Sequence, residues 1–285
     1  MTAQRLTLHA VDGRPLAALL IEAPRPRGAI VLNGAAGYPR EFYLRFAGYC
    51  AERGYHTLLY DYRGTGASAS KPLSADPARM SEWGRLDMPA ALEFMARRFA
   101  TLPLFTVGHS VGGQLGPACP NQALARAHVM LAASTGYWRA EPAPFRYAAL
   151  FFWWVYGPLT LALWGYVPHS PLWRGQPLPA GVFRQWRTWC MRPEHFGPDL
   201  DGELAGNQFA ACRGPLLVWG FSDDPIANPQ TVAALLAHYP RAQIEQRWTH
   251  PAQVGARHIG HRGFFSARHR DSLWRAALDW IDARC

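Results

Sequence analysis

Short apolar runs punctuate the chain at residues 29–32, 56–60, 104–107, 127–132 and 215–220. Continuous runs of this length fit strands buried on both faces, as in a parallel sheet. Between them the period becomes helical. Residues 40–53 place Phe42, Leu44, Phe46 and Cys50 at apolar positions and stop at Gly54, a residue type suited to the left-handed helix end. Helical patterns follow at 83–99, at 230–238 and from Ser266 or Asp271 to 283, with a further strand at 243–248. Residues 5–22 read as two short strands around Asp12-Gly13, a hairpin dipeptide. Strand–helix alternation of this kind predicts βαβ units, hence an α/β fold with a mostly parallel, doubly wound sheet flanked by helices.

The alternation pauses at Tyr137 and resumes at Pro215. The intervening stretch holds seven of the twelve tryptophans: Trp138, Trp153, Trp154, Trp164, Trp173, Trp186 and Trp189. Residues 147–167 carry no charge, and the run approaches a membrane span in length. Gly157-Pro158 is expected to split it into two shorter helical pieces, because proline inside a helix costs about 3 kcal/mol. The expectation is an inserted helical cap over residues 137–212, between an N-terminal core part (1–136) and a C-terminal core part (213–285). Its aromatics would roof an apolar pocket, with at least half of the tryptophans packing the cap itself.

Composition narrows the classes. Apolar residues make up 49% and charged ones 17%, so the chain folds around a core. The five cysteines are scattered without C-x-x-C spacing, which suits neither a disulfide framework nor a zinc site. With no apolar leader pattern at the N-terminus, a cytoplasmic protein is expected. The formal charge of +9 is spread over arginines with no basic block, which argues against nucleic acid as a partner and leaves weak membrane-surface contact open.

The candidate chemistry starts at Gly108-His109-Ser110-Val111-Gly112, a G-x-S-x-G leaving a strand and entering a helix. On such a turn the Ser hydroxyl is exposed, and the helix N-terminus behind it offers free N–H groups. Ser catalysis needs a base, an orienter and oxyanion donors. Trp219-Gly220-Phe221-Ser222-Asp223-Asp224 offers the acid, with Asp223 favoured by its Gly-x-x-Asp spacing and Asp224 as the alternative. His261, in the loop before the last helix, is the expected base, with His258 the runner-up. The pair forms H-x-x-H, but no third ligand is near, so no metal is expected. His250 and His269 read as surface or structural, and His109 as pointing into the turn. Val111 and Ala35 are the expected oxyanion donors, with Ala36 the alternative in Asn33-Gly34-Ala35-Ala36-Gly37. The turn Asp61-Tyr62-Arg63-Gly64-Thr65-Gly66 lacks the Lys-Ser/Thr of a phosphate loop, and no cofactor is expected. Tyr137, Trp138, Trp153 and Trp186 are the expected substrate contacts.

With these motifs assembled, the chain resembles α/β-hydrolase-fold proteins over nearly its whole length. More closely, it resembles a bacterial group of predicted α/β-hydrolases, on Tyr60-Asp61-Tyr62-Arg63-Gly64, Gly108 to Gln114, Gly136-Tyr137-Trp138, Gln185-Trp186, Ile259-Gly260-His261 and Gly263-Phe264-Phe265. The resemblance implies a Ser-Asp-His triad and no particular substrate. A Ser rather than an Asp at position 110 points to acyl transfer to water. The expected reaction is cleavage of a carboxylester or thioester of a small, partly apolar substrate. Amidase, peptidase and cofactor-free haloperoxidase chemistry remain alternatives, as does a binding or membrane-peripheral role without turnover.

Overall fold

The computed structural model describes residues 3–285. The chain opens with β1 (Ala3–His9) and β2 (Pro15–Ile21), an antiparallel hairpin whose turn uses Gly13 at φ +80°. There follow β3 (Gly28–Asn33), α1 (Leu44–Glu52), β4 (Tyr55–Tyr60), α2 (Met80–Glu82), α3 (Met88–Arg98), β5 (Leu104–His109), α4 (Val111–Leu115) and β6 (Ala127–Leu131). Next come α5 (Phe145–Phe151), α6 (Gly157–Trp164), β7 (Tyr166–Val167), β8 (Leu178–Pro179) and α7 (Ala180–Cys190). The chain ends with β9 (Pro215–Phe221), α8 (Pro229–Leu236), β10 (Gln243–Thr249) and α9 (Arg275–Asp282).

Eight strands form one sheet in the order β1-β2-β4-β3-β5-β6-β9-β10. The first hairpin and the β2–β4 pairing are antiparallel, and the pairings from β4 onward are parallel. Every residue of β3, β4, β5 and β6 is buried, which is why these runs do not alternate. Each buried Leu, Ile or Val there stabilises the fold by about 1.5–3 kcal/mol. The chain order reverses around β3 and β5, so the loops at the carboxyl ends of β3, β5, β6 and β9 gather on one rim, the usual place for a site in an open α/β sheet.

The expectation that Pro158 splits the uncharged run is corrected. Residues Phe145–Trp164 form one continuous helix of 20 residues. Its middle, Phe152–Tyr156, is a π-turn, in which the Gly157 N–H reaches back to the Phe152 carbonyl. The wider turn accommodates the proline ring. The carbonyl that Pro158 cannot serve, on Trp153, accepts instead from Arg187 Nε of α7 at 2.7 Å. Gly157 is required here, since a Cβ would lie 1.9 Å from the Phe183 ring. Trp153, Trp173, Trp186 and Trp189 pack into the structure, whereas Trp154 and Trp164 are exposed.

Candidate active site

The strand-to-helix turn after β5 is built by exclusion. Ser110 sits at φ 53°, ψ −118°, a conformation costly for a side-chain-bearing residue. A Cβ on Gly108 would meet the Gly112 carbonyl oxygen at 2.4 Å, and one on Gly112 would meet that of Asn33 at 2.1 Å. The two glycines of G-x-S-x-G therefore let β5, α4 and the end of β3 close on one another. The strain is held by the Ser110 N–H, which donates to the Leu131 carbonyl at 2.9 Å.

Ser110 Oγ lies 3.0 Å from His261 Nε2, and His261 Nδ1 lies 2.8 Å from Asp224 Oδ2. The carboxylate against the imidazole is thus Asp224, and the expectation of Asp223 is corrected. Asp224 is almost fully buried, and its other oxygen accepts from the N–H groups of Ile226 and Ala227. Burial alone would raise its pKa, but His261 and these two amides outweigh that and hold the carboxyl below its ordinary value. Asp223 accepts instead from the N–H groups of Ile259 and Gly260, at 2.9 and 3.0 Å, and from His258 Nδ1 at 2.6 Å. The Gly-x-x-Asp count misled because one carboxylate shapes the histidine loop while its neighbour faces the ring. His258 is largely exposed and does not approach Ser110. His250 caps the turn at Pro251–Val254, and His269 is buried.

Ala35 does not offer its N–H to the site. That amide donates to Tyr43 Oη at 2.8 Å. Tyr43 Oη also lies 3.0 Å from His109 Nδ1, and His109 Nε2 lies 2.8 Å from the His261 carbonyl oxygen. Burial pushes the His109 pKa down to about 3, so its ring is neutral. Because the His261 carbonyl only accepts, Nε2 carries the proton and Nδ1 accepts from Tyr43. This chain ties the β3 loop, the Ser110 turn and the His261 loop together. Among the described residues the N–H groups of Ala36 and Val111 have no hydrogen-bond partner, so Ala36 replaces Ala35 as the candidate donor beside Val111.

The family model described as serine aminopeptidase, S33, matches residues 24–163. Among solved structures, the chain is similar to a soluble variant of monoglyceride lipase from Saccharomyces cerevisiae bound to a substrate analog. That match has 15% identity over 100% of this chain and 95% of that one, with a TM-score of 0.67. The chain has the α/β-hydrolase fold. A monoacylglycerol lipase from Paleococcus ferrophilus is also similar (15% identity, 95% and 99% of the two chains, TM-score 0.59). So is a thermostable carboxyl esterase from Bacillus coagulans in complex with glycerol (14% identity, 100% and 99%, TM-score 0.60). No curated protein matches the chain in sequence.

In this fold the Ser110–His261 pair opens into a cavity of about 240 Å³. Its roof is apolar: Phe145, Ala148, Ala149, Phe152 and Trp153 from the long helix, with Trp173 and Trp186 beside them. Trp153 and Trp186 line it as expected, but Tyr137 and Trp138 do not. At Gly136, φ +62°, the chain turns away from that wall into the half-buried turn Trp138–Ala140 and returns to it at Glu141. The wall also holds polar groups that apolar-pattern reasoning passes over: Gln114, Ser134, Thr135 and Glu141. Three larger hollows elsewhere, of about 710, 510 and 460 Å³, are polar or shallow and contain neither Ser110 nor His261.

Proposed function

We propose that the protein is a serine hydrolase that cleaves a carboxylester or thioester of a small, partly apolar substrate. The observation that carries this is the Ser110–His261–Asp224 chain of hydrogen bonds, at 3.0 and 2.8 Å, opening into an apolar cavity. His261 Nε2 takes the proton as Ser110 Oγ attacks the acyl carbon, and Asp224 holds the Nδ1–H and steadies the imidazolium. The oxyanion meets the N–H groups of Val111 and Ala36, each such donor contributing about 3 kcal/mol to the transition state. His261 then protonates the leaving alcohol or thiol, and water, activated by His261, releases the acid.

The test is covalent labelling of Ser110 by a fluorophosphonate, followed by a chain-length series of p-nitrophenyl esters. Labelling is expected in the wild type and absent in Ser110→Ala and His261→Ala. A folded wild-type protein that neither labels nor hydrolyses any ester refutes the reading.

A second reading adds a location for the substrate. The long helix turns Tyr147, Phe151, Trp154, Val155, Leu159 and Leu163 to solvent, and only 22% of its most apolar window is buried. An uncharged stripe of this kind beside the cavity suits contact with a lipid–water interface. Sedimentation with anionic vesicles is expected, and retention of full binding after Phe151→Ser, Trp154→Ser and Leu159→Ser refutes it.

A further inference from the structure

The cavity contains a carboxyl group that the triad does not use. Glu141 is 5% exposed and faces the same space as Ser110 and His261. Its Oε2 is fully enclosed and has no hydrogen-bond partner, and the Thr135 hydroxyl on the same wall is likewise without one. Leaving a buried polar group unpaired costs about 1–3 kcal/mol, more for a charge, and a Leu at position 141 would avoid that cost. The backbone beneath is fixed: the Glu141 N–H closes the turn onto the Trp138 carbonyl, and Asn228 Nδ2 donates to the Ala140 carbonyl at 2.9 Å. Two unpaired polar groups in a largely apolar wall lack a partner that a ligand can supply.

We propose that Glu141 and Thr135 form a hydroxyl-binding subsite, so that the substrate is an ester carrying a free hydroxyl on its acyl or its alcohol part. The inference rests on the reading of Ser110 as an ester hydrolase. Burial, with the nearby Asp224 charge, pushes the Glu141 pKa up to about 8, so near neutral pH the group is a neutral acid. A neutral acid donates one hydrogen bond and accepts another, as does the Thr135 hydroxyl. Their complement is a neutral group that does both. An ammonium would require Glu141 to ionise beside Asp224, and the chain's net charge of +9 disfavours drawing a cation in. The aromatic wall at Phe152, Trp153 and Trp186 then takes the remaining carbon chain.

The test compares matched esters: methyl hexanoate against methyl 3-hydroxy- and 6-hydroxyhexanoate, and propyl hexanoate against 3-hydroxypropyl hexanoate. Wild-type kcat/KM is expected to favour one hydroxylated member about tenfold or more, because a site built for a hydroxyl discriminates against its absence. The arm that responds says whether the hydroxyl lies on the acyl or the alcohol side. Glu141→Leu is expected to collapse the ratio toward one, and Glu141→Gln to keep most of it. Equal rates for all pairs in the wild type, or a ratio unchanged in Glu141→Leu, overturn the subsite. So does a stronger preference for methyl 6-aminohexanoate. Quenching of tryptophan fluorescence by the same esters in Ser110→Ala reads the subsite without turnover. Selective binding there with no wild-type hydrolysis refutes the hydrolase reading alone; hydrolysis without selectivity refutes the subsite alone.

Discussion

Replacing Tyr43 by Phe removes one oxygen and tests the chain of hydrogen bonds that holds the site together. Tyr43 is fully buried, and the ring of a Phe fills the same space, so no cavity term is expected beyond that atom. What is lost is specific. The Ala35 N–H loses its acceptor at 2.8 Å, and His109 Nδ1 loses its donor at 3.0 Å. Two buried polar groups left unpaired cost about 1–3 kcal/mol each, so urea unfolding should show a loss of about 2–6 kcal/mol with an unchanged m-value. A second readout separates this from a general loss of packing. Ala35 precedes Ala36, the proposed oxyanion donor, and His109 holds the His261 carbonyl. Loosening both should lower kcat about tenfold or more while KM changes little, since the affected contacts strengthen in the transition state. The His109→Phe variant should cost less on the Tyr43→Phe background than on the wild type, because the two groups share one bond. A Tyr43→Phe protein destabilised by less than about 0.5 kcal/mol, or one whose kcat is unchanged, would refute the argument.

Four further outcomes follow from the geometry. Asp224→Asn should lower kcat by about 10³–10⁴-fold, whereas Asp223→Asn, which keeps an acceptor for one of the two loop amides, should lower it less than tenfold; ester kinetics of the pair decide the assignment. Wild-type stability should fall as pH rises from about 6.5 through about 8, because Glu141 is held protonated in the folded state and ionises freely when unfolded; between about 4.5 and 6.5 the buried histidines outweigh this term. Glu141→Leu should remove that slope and gain up to about 5 kcal/mol at pH 9, checked by denaturant titration across pH. On the acid side His109, His128 and His195 are buried neutral, with pKa values pushed down to about 3, 4 and 3, so the stability present above pH 6.5 should be lost as pH falls by about 4 kcal/mol per pH unit; circular dichroism should show cooperative unfolding above pH 4. Gly112→Ala, whose Cβ would lie 2.1 Å from the Asn33 carbonyl oxygen, should cost about 3 kcal/mol or prevent folding, read by expression and thermal melting.

The sheet was legible because its strands are buried throughout. Their runs could be counted from the sequence, and the Asp12-Gly13 turn fixed the antiparallel start. The meeting of residues 110 and 261 was legible for a steric reason, since few sequences other than G-x-S-x-G fit a turn with no room for a Cβ at 108 or 112. The choice between Asp223 and Asp224 was not legible. Both leave the same turn, and only the fold of residues 258–261 decides which carboxylate takes amides and which takes the ring. The Ala35 amide was hidden similarly, because its direction is set by a tyrosine eight positions on, whose role is visible only through His109. Glu141 lay outside an apolar pattern search, although an acidic residue among so many aromatics was a signal in itself.

The cap shows how local and tertiary terms compete. Pro158 carries a local cost of about 3 kcal/mol inside a helix, which predicts a break. The break does not occur because three features share the cost: the Phe152–Tyr156 π-turn widens the backbone, Gly157 admits the distant Phe183 ring, and the distant Arg187 satisfies the Trp153 carbonyl. Arg187 also lies 4.2 Å over the exposed Trp154 ring, so one side chain holds both faces of the same turn. An unbroken helix has a consequence that two separate pieces would not. Ala148, Ala149, Phe152 and Trp153 face the cavity, while Tyr147, Phe151, Trp154 and Val155 face solvent. The cavity roof and the outer apolar stripe are therefore one rigid body, held to α7 by the Arg187 bond and by packing on Phe183 and Trp186. Removing the Arg187 clamp should change the cavity and the stripe together.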